Sequence, residues 1–378
     1  MKKLLLFLML VGTVFRMSAD VVTTDHISVN DVTVVPGSDS EYKLLISLVG
    51  SQIYTAYEMD IQFPPGLDVV MKSNRPVVRI CNDDDVYPLD PVDEVVDHKI
   101  TSSYNVIANG ILRLSCISLS NFDLNKEKGK LLSITCKAGP YLKPGTAELK
   151  VSKLHLISKT TGEVIQYDCA DQTLNVKVES KSTAGITVSS KNKWGTCVLP
   201  FTVSPLPSGL KAYSVSERSD DAKYAILKEE TELKEFTPYI LYAENGFTGS
   251  GYTGDVDADK YKEVVNEGIL YGAIAPQVVD DGFVLQNQGD GAKLYSMGGT
   301  EFNIPAGKCW VKPTIYNGAK VIELTFADTD GINGPSSSLD DSARRANGQV
   351  YSLGGQQVSV PQPGNIYIYN GHKVLWLK

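Results

Sequence analysis

Four histidines serve 378 residues: His26, His98, His155 and His372. No two stand at metal-ligand spacing, and none sits in a recognisable pairing with a nucleophile. Gly-x-Ser-x-Gly, His-Glu-x-x-His and a phosphate-binding loop are all missing. Enzymes that announce themselves by such motifs are therefore excluded. A surplus of positive charge is missing too: 36 Lys and Arg face 44 Asp and Glu, a formal charge of −8. Without a basic stripe, nucleic acid is not an expected partner. No CxxC or Cys/His spacing suggests zinc. Past residue 20 no segment approaches the 18 apolar residues of a membrane span, so none is expected once a leader is removed. Residues 20–178 contain no convincing amphipathic helix.

What is present begins with an address. Lys2 and Lys3 precede an apolar run from Leu4 to Phe15, and Arg16-Met17-Ser18-Ala19 offers a small residue at a cleavage point. Residues 1–19 read as a secretory signal peptide. The six cysteines fall as Cys81, Cys116, Cys136 and Cys169 in one expected domain, and Cys197 and Cys309 in the next. Export with an even count per domain permits disulfides. Buried free thiols are the alternative, because Cys116 and Cys136 share strand parity with leucines and isoleucine and point into the core.

Residues 20–178 read as many short strands. In Thr55 to Phe63, Thr55, Tyr57, Met59, Ile61 and Phe63 alternate with Ala56, Glu58, Asp60 and Gln62, the period of a half-buried antiparallel strand. Tyr42 to Val49, Ile111 to Leu119, Leu131 to Lys137, Ala147 to Ile157 and Gln172 to Val178 follow similar rules. Pro36-Gly37, Asn109-Gly110, Lys128-Gly129, Pro144-Gly145 and Thr161-Gly162 punctuate them. Regular short strands with such turns predict a β-sandwich.

The order of features resembles the cohesin family, a jelly-roll sandwich shared with a group of carbohydrate-binding modules. Ile27-Ser28-Val29, a Pro-Gly turn, Leu44 to Leu48, Ala56 to Phe63, Gly66-Leu67-Asp68-Val69, Gly110 to Leu114 and Gly129 to Ile134 carry the likeness over about 150 residues. Pro64-Pro65 and the acidic insert Asn82 to Asp97 depart from it. The resemblance implies recognition without covalent chemistry, of a polysaccharide or of a dockerin-like protein module.

Residues 179–184 are polar and read as a linker, and 185–327 as a second β-rich domain. That domain looks like an uncharacterised one common in secreted proteins of polysaccharide-digesting anaerobic Gram-negative bacteria. Residues 328–348 read as a flexible tether rich in Asp, Ser, Gly and Asn. Residues 349–378 follow, starting Val350-Tyr351-Ser352-Leu353 and closing with an Ile/Tyr run, Asn370-Gly371 and a Val/Leu/Trp run ending on lysine. Asn-Gly between such runs is a strong hairpin signal. This tail resembles the C-terminal sorting domain of the type IX secretion system. Gly364, Tyr367, Gly371, Lys373 and Lys378 match its motif. It implies contact with the secretion machinery and a secreted or outer-surface location on a Gram-negative bacterium.

Two acid clusters are candidates for calcium. Asp83, Asp84 and Asp85 open a run of carboxylates that reads as a solvated insertion or, alternatively, as a calcium site that orders the insert. Asp255, Asp257 and Asp259 have the 1, 3, 5 spacing of a calcium loop, but Lys260 and Asn266 stand where the glycine and the bidentate acid belong, which favours a solvated loop. For sugar stacking, Tyr54, Tyr87 and Tyr104 lie near turns or in inserts and are the expected exposed rings. Tyr57 is on an inward parity. Trp194, Tyr239, Tyr242, Tyr252, Tyr261 and Trp310 are the aromatic candidates of the second domain.

The sequence therefore predicts an exported, non-catalytic, all-β protein: a cohesin-like jelly-roll β-sandwich, a second β-rich domain and a small C-terminal sorting domain. It binds a polysaccharide or a protein partner. A structural or adhesive surface protein is the rival. A glycoside hydrolase, needing only two carboxylates about 5–10 Å apart, is a third reading.

Overall fold

The computed structural model describes residues 21–50, 52–80, 98–105, 110–118, 123–124, 130–160, 163–218, 224–288, 291–312, 319–326, 350–353, 356–362, 366–369 and 372–375. Its regular elements are all strands, with no helix among the described residues. The chain divides into two compact units after Ser180.

The first unit runs through β1 (Val21–Thr23), β2 (His26–Val29), β3 (Thr33–Val34), β4 (Tyr42–Val49), β5 (Ala56–Gln62), β6 (Leu67–Val69), β7 (Met71–Lys72), β8 (Arg75–Pro76), β9 (Val78–Ile80), β10 (His98–Asn105), β11 (Ile111–Ser118), β12 (Lys130–Ala138), β13 (Gly145–Thr160), β14 (Glu163–Cys169) and β15 (Gln172–Val178). One sheet has the order β1-β14-β13-β5-β11-β10, with β15 pairing β13 and β3. The other has the order β2-β4-β12-β6, with β9 also on β12. Their inner residues share one core, including Leu44, Ile46, Tyr57, Met59, Ile61, Leu112, Leu114, Cys116, Leu132, Ile134 and Cys136. Each such side chain contributes about 1.5–3 kcal/mol on leaving water.

The period of two explains most of β5. Tyr57, Met59 and Ile61 are buried while Glu58 and Gln62 are exposed. Asp60 breaks the pattern: it sits on the outward parity yet is only 6% exposed. A bulge in β13 contributes to its cover. The β13–β5 register slips between Ser152 and His155, and Lys153 takes a left-handed φ of 53°. The extra residue strengthens the local twist and re-aims a side chain.

The second unit contradicts the expected linker at 179–184. Its β16 (Lys181–Val188) pairs with β21 (Phe247–Asp255), and Ser182, Ala184, Ile186 and Val188 are all buried. The outward Lys181 and Thr183 give the segment its polar look, and period-two burial makes it a strand. Between and after these come β17 (Trp194–Cys197), β18 (Lys211–Arg218), β19 (Tyr224–Glu230), β20 (Tyr239–Tyr242), β22 (Val264–Glu267), β23 (Leu270–Ala273), β24 (Gln277–Val279), β25 (Phe283–Asn287), β26 (Ala292–Ser296), β27 (Phe302–Ile304), β28 (Cys309–Val311) and β29 (Val321–Phe326). A ten-stranded sheet has the order β17-β20-β18-β19-β29-β26-β25-β28-β23-β22. The β16–β21 ribbon shares a core with one face of it, through Ile186, Val188, Leu199, Phe201, Ala212 and Leu241.

Near the end of the chain, β30 (Val350–Ser352), β31 (Ile366–Tyr369) and β32 (His372–Leu375) form a three-stranded antiparallel sheet. Tyr369 pairs with His372, which leaves two residues between β31 and β32, the length expected of the hairpin.

Candidate functional site

The outward face of the eight-stranded sheet is the candidate. Cross-strand register fixes what it presents. Asp60 lies opposite Arg113 on β11 and opposite Ser152 on β13; Gln62 lies opposite Lys150; Glu58 lies opposite His155. On β10, Lys99 and Ser103 face the same way, opposite Ile117 and Arg113.

Asp60 is the hub. Arg113 donates from Nε to Oδ1 at 2.7 Å and from Nη2 to Oδ2 at 2.8 Å, and Lys153 Nζ donates to Oδ2 at 3.1 Å. The carboxylate is covered while both cations stand in water, at 56% and 63% side-chain exposure. The Arg113 bonds foremost, with help from Lys153, hold the Asp60 carboxyl below its ordinary range despite burial. Beside it runs an open groove of about 400 Å³ lined by Asp60, Lys150, Ser152, Lys153, Asp171 and Thr173 among others.

A second polar cluster lies along the same face. His155 Nδ1 is 2.6 Å from Asp168 Oδ1, and Gln166 Nε2 donates to the same oxygen at 3.0 Å. The Gln166 bond, then His155, lowers the Asp168 carboxyl. The Gln166 amide lies 3.4 Å from the same Nδ1, so the carboxylate and the amide share one ring nitrogen.

The rings expected to be exposed are placed otherwise. Tyr54 is 0% exposed, so its assignment as an exposed ligand ring is corrected. Its hydroxyl donates to Asp25 Oδ2 at 2.8 Å, and its ring meets Tyr167 edge-on at 5.5 Å. Nearness to a turn does not imply exposure when the turn folds over a buried carboxylate. Tyr104 is half-buried. It lies opposite inward Leu112, packs edge-on against Phe63 at 6.2 Å, and reaches Asp68 Oδ1 at 3.5 Å. Burial, then the Asp68 charge, pushes its hydroxyl up to about 12. Tyr57 is buried as its parity predicts. Tyr87, Asp83, Asp84, Asp85, Gly364, Gly371 and Lys378 lie outside the described residues. Tyr367 is buried in β31, where its hydroxyl accepts from the Gln362 amide at 2.8 Å, and Lys373 is opposite Ile368.

Cys116, Cys136, Cys169, Cys197 and Cys309 are free thiols, and all but the half-buried Cys169 are buried, so the buried-thiol alternative applies to four of them. Burial pushes Cys116 and Cys169 up to about 11 and Cys136 and Cys197 to about 12. In the Asp255–Asp259 loop, Asp257 accepts from the Asp259 amide at 3.0 Å, and Lys260 pairs with Asp257 at 3.5 Å and Glu235 at 2.8 Å. A lysine ammonium thus occupies the place a cation would need. No cluster of three His, Cys, Asp or Glu suited to a metal occurs among the described residues. In the second unit Tyr239 and Trp310 are buried, while Trp194, Tyr242, Tyr252 and Tyr261 are half-buried.

Fold and site together define an all-β protein whose sandwich presents a polar, ion-paired sheet face. No family model matches the sequence, and no curated protein matches it. Among solved structures, a non-cellulosomal cohesin from the hyperthermophilic archaeon Archaeoglobus fulgidus is similar, with 12% identity over 41% of this chain and 91% of its own, and a TM-score of 0.27. The seventh ScaB type I cohesin from Pseudobacteroides cellulosolvens has 13% identity over 42% and 94%, with a TM-score of 0.31. The Coh-OlpA-Doc918 cohesin–dockerin complex from Clostridium thermocellum has 14% identity over 41% and 99%, with a TM-score of 0.30. Likeness at this level carries no inference about partner or activity.

Proposed function

We propose that the chain is an exported, non-catalytic protein whose sandwich binds a protein partner on the outward face of its eight-stranded sheet. The Asp60–Arg113–Lys153 network carries the reading. Asp60 takes two of the five guanidinium N–H donors and one of the three ammonium donors, leaving the rest free. Both cations are held in place before a partner arrives, so less side-chain entropy is lost on binding. Because the Asp60 carboxylate is covered, the exposed Arg113, Lys150 and Lys153 outnumber the one exposed carboxylate of the groove, Asp171, and the net accessible charge here is positive. Glu58 and Asp168 lie further along the face. Such polarity orients an acidic partner segment over the cations and speeds its encounter. Ile117, 46% exposed, adds apolar area. Sugar stacking needs aromatic faces, and the described outward residues of β5, β10, β11 and β13 include none, which favours protein over polysaccharide on this sheet.

Export is part of the proposal. The leader-like run at residues 4–15 and the hairpin of β31 and β32 support passage to the outer surface or the medium through the type IX route. Deleting 349–378 should then leave the protein in the periplasm.

The binding test uses the full chain and an Arg113→Glu, Lys153→Glu variant, each immobilised and exposed to proteins the source cells secrete. A partner retained by the parent, released by moderate salt and lost on the variant supports the reading. Equal retention by both overturns it.

A further inference from the structure

The groove beside Asp60 changes sign across the strands. One cross-strand row runs from Arg113 on β11 through Asp60 on β5 to Ser152 on β13. The row beside it runs through Ile111, Gln62, Lys150 and Thr173. Asp171 stands at the far end of the first row, next before Gln172, whose partner is Val151. Arg113, Lys150, Lys153 and Asp171 are exposed, and the last three line the groove with Gln62, Ser152 and Thr173. The cations therefore sit over β11 and β13, and the accessible carboxylate sits at β15.

Asp60 fixes how Arg113 is offered. It takes the Nε–H and one Nη2–H, the side edge of the guanidinium. The end edge keeps one N–H on Nη1 and one on Nη2, two parallel donors that match the two oxygens of a second carboxylate. Lys153 Nζ, 3.1 Å from Asp60 Oδ2, adds donors beside it. Asp171 offers only acceptors. Neighbouring strands lie about 4.8 Å apart, so the step from β11 to β15 is three spacings, about 14 Å. An extended chain advancing about 3.3 Å per residue covers it in about four residues. Between the two ends, Gln62, Ser152 and Thr173 supply neutral donors and acceptors of the kind that pair with backbone N–H and C=O. An extended segment presents those backbone groups, whereas a helix keeps them for its own bonds.

Resting on the docking face proposed above, we infer that its occupant is an extended peptide segment of the partner that carries an acidic side chain about four residues from a basic one. The acid takes the end edge of Arg113, with Lys153 beside it, and the base meets Asp171. Asp171 is thus a specificity determinant: it rejects a plain run of acids that Arg113 and Lys153 alone accept. Phosphate or sulfate polymers bring negative charge to Asp171, and a neutral sugar chain leaves both ends without a counter-charge.

The test selects displayed random dodecapeptides on the immobilised full chain and on its Asp171→Lys variant, then measures the selected peptides by fluorescence polarisation. Peptides taken by the parent should carry Asp or Glu about four residues from Lys or Arg. Those taken by Asp171→Lys should carry an acid in place of the base, and the parent's peptides should bind this variant about tenfold more weakly. Arg113→Lys, which keeps the charge and loses the fork, should also weaken them about tenfold. Asp171→Asn serves where Asp171→Lys fails to fold, and its selected peptides should show no preference for the base. No enrichment on the parent overturns the inference, as do selected peptides without the acid–base spacing, or equal affinity for the parent and a folded Asp171 variant. In each of these cases the docking face itself stands if the secreted partner is still lost on the Arg113→Glu, Lys153→Glu variant, and falls as well if that retention is unchanged.

Discussion

Replacing Tyr54 by Phe removes one oxygen and separates two roles for this residue. Asp25 is 9% exposed, and its Oδ2 has two donors: the Tyr54 hydroxyl at 2.8 Å and the Gln52 amide at 3.4 Å. Without the hydroxyl, a buried carboxylate oxygen keeps only the long bond. A hydrogen bond to a charged group contributes about 1.5–3 kcal/mol, so the sandwich should lose about that much. Burial, then the bond to Asp25, raises the Tyr54 hydroxyl well above its ordinary range, so it stays a donor through neutral and mildly alkaline pH. With a urea slope of about 2 kcal/mol/M, the sandwich midpoint should fall by about 1 M. The two units need separate readouts, and the buried thiols provide them. Brief iodoacetamide pulses across a urea series, followed by peptide mass spectrometry, report the sandwich through Cys116 and Cys136. Cys197 and Cys309 report the second unit. Tyr54→Phe should shift the first pair only. A shift below about 0.2 M would refute the structural role and return Tyr54 to the ligand-binding candidates. An equal shift of both pairs would refute the separation of the units.

Asp60→Asn should cost the sandwich about 1–2 kcal/mol at pH 7, since both cations re-solvate when the carboxylate goes. Because the folded Asp60 carboxyl is depressed, its contribution is complete above the ordinary value near 3.8 and is lost as pH falls below it. The gap between parent and variant in urea midpoint should close toward acid pH; a gap equally wide at both pH values would refute the network's electrostatic role. In native buffer Cys116, Cys136 and Cys197 should resist alkylation at mildly alkaline pH, being buried and pushed up to about 11 or 12. Rapid modification of any of them without denaturant would contradict the packing. Gly254→Ala places a methyl 2.6 Å from Phe201 Cβ in a packed core, so Cys197 and Cys309 should lose protection at lower urea, by about 1–3 kcal/mol. An unchanged midpoint would mean that Phe201 has room to move.

The strands with one buried face were legible because their period is local. Tyr42–Val49 and Gln172–Val178 have the predicted bounds, and β5, β11, β12 and β13 differ only at their ends. The β16 strand was not, because Lys181, Ser182 and Thr183 are polar, although Ser182 is buried where β16 pairs with β21. The candidate site was least legible. Asp60 reads as a solvent-facing acid, and what covers it is Arg113, 53 positions away, and Lys153, re-aimed by a bulge that no period-two pattern contains. Between Glu58 and Gln62 on the same outward parity, Asp60 carries no local mark of its burial. Tyr54 was misplaced for the converse reason: its partner Asp25 is 29 positions away, and sequence spacing does not show that the two meet.

The pairings of the sandwich also set when it can fold. β1, at Val21–Thr23, pairs in parallel with Tyr167–Cys169, and β3, at Thr33–Val34, with Lys177–Val178. The central β5 pairs on one side with β13, about 90 residues later. Such separations are costly to close before the intervening chain is available, and they slow folding. A chain delivered from its N-terminus can pair β2 with β4 early, but must hold β1 and β3 without these partners until residues 169 and 178 have emerged. The sandwich is thus a late-closing fold, in which the N-terminal edge strands lock only when the last strands arrive.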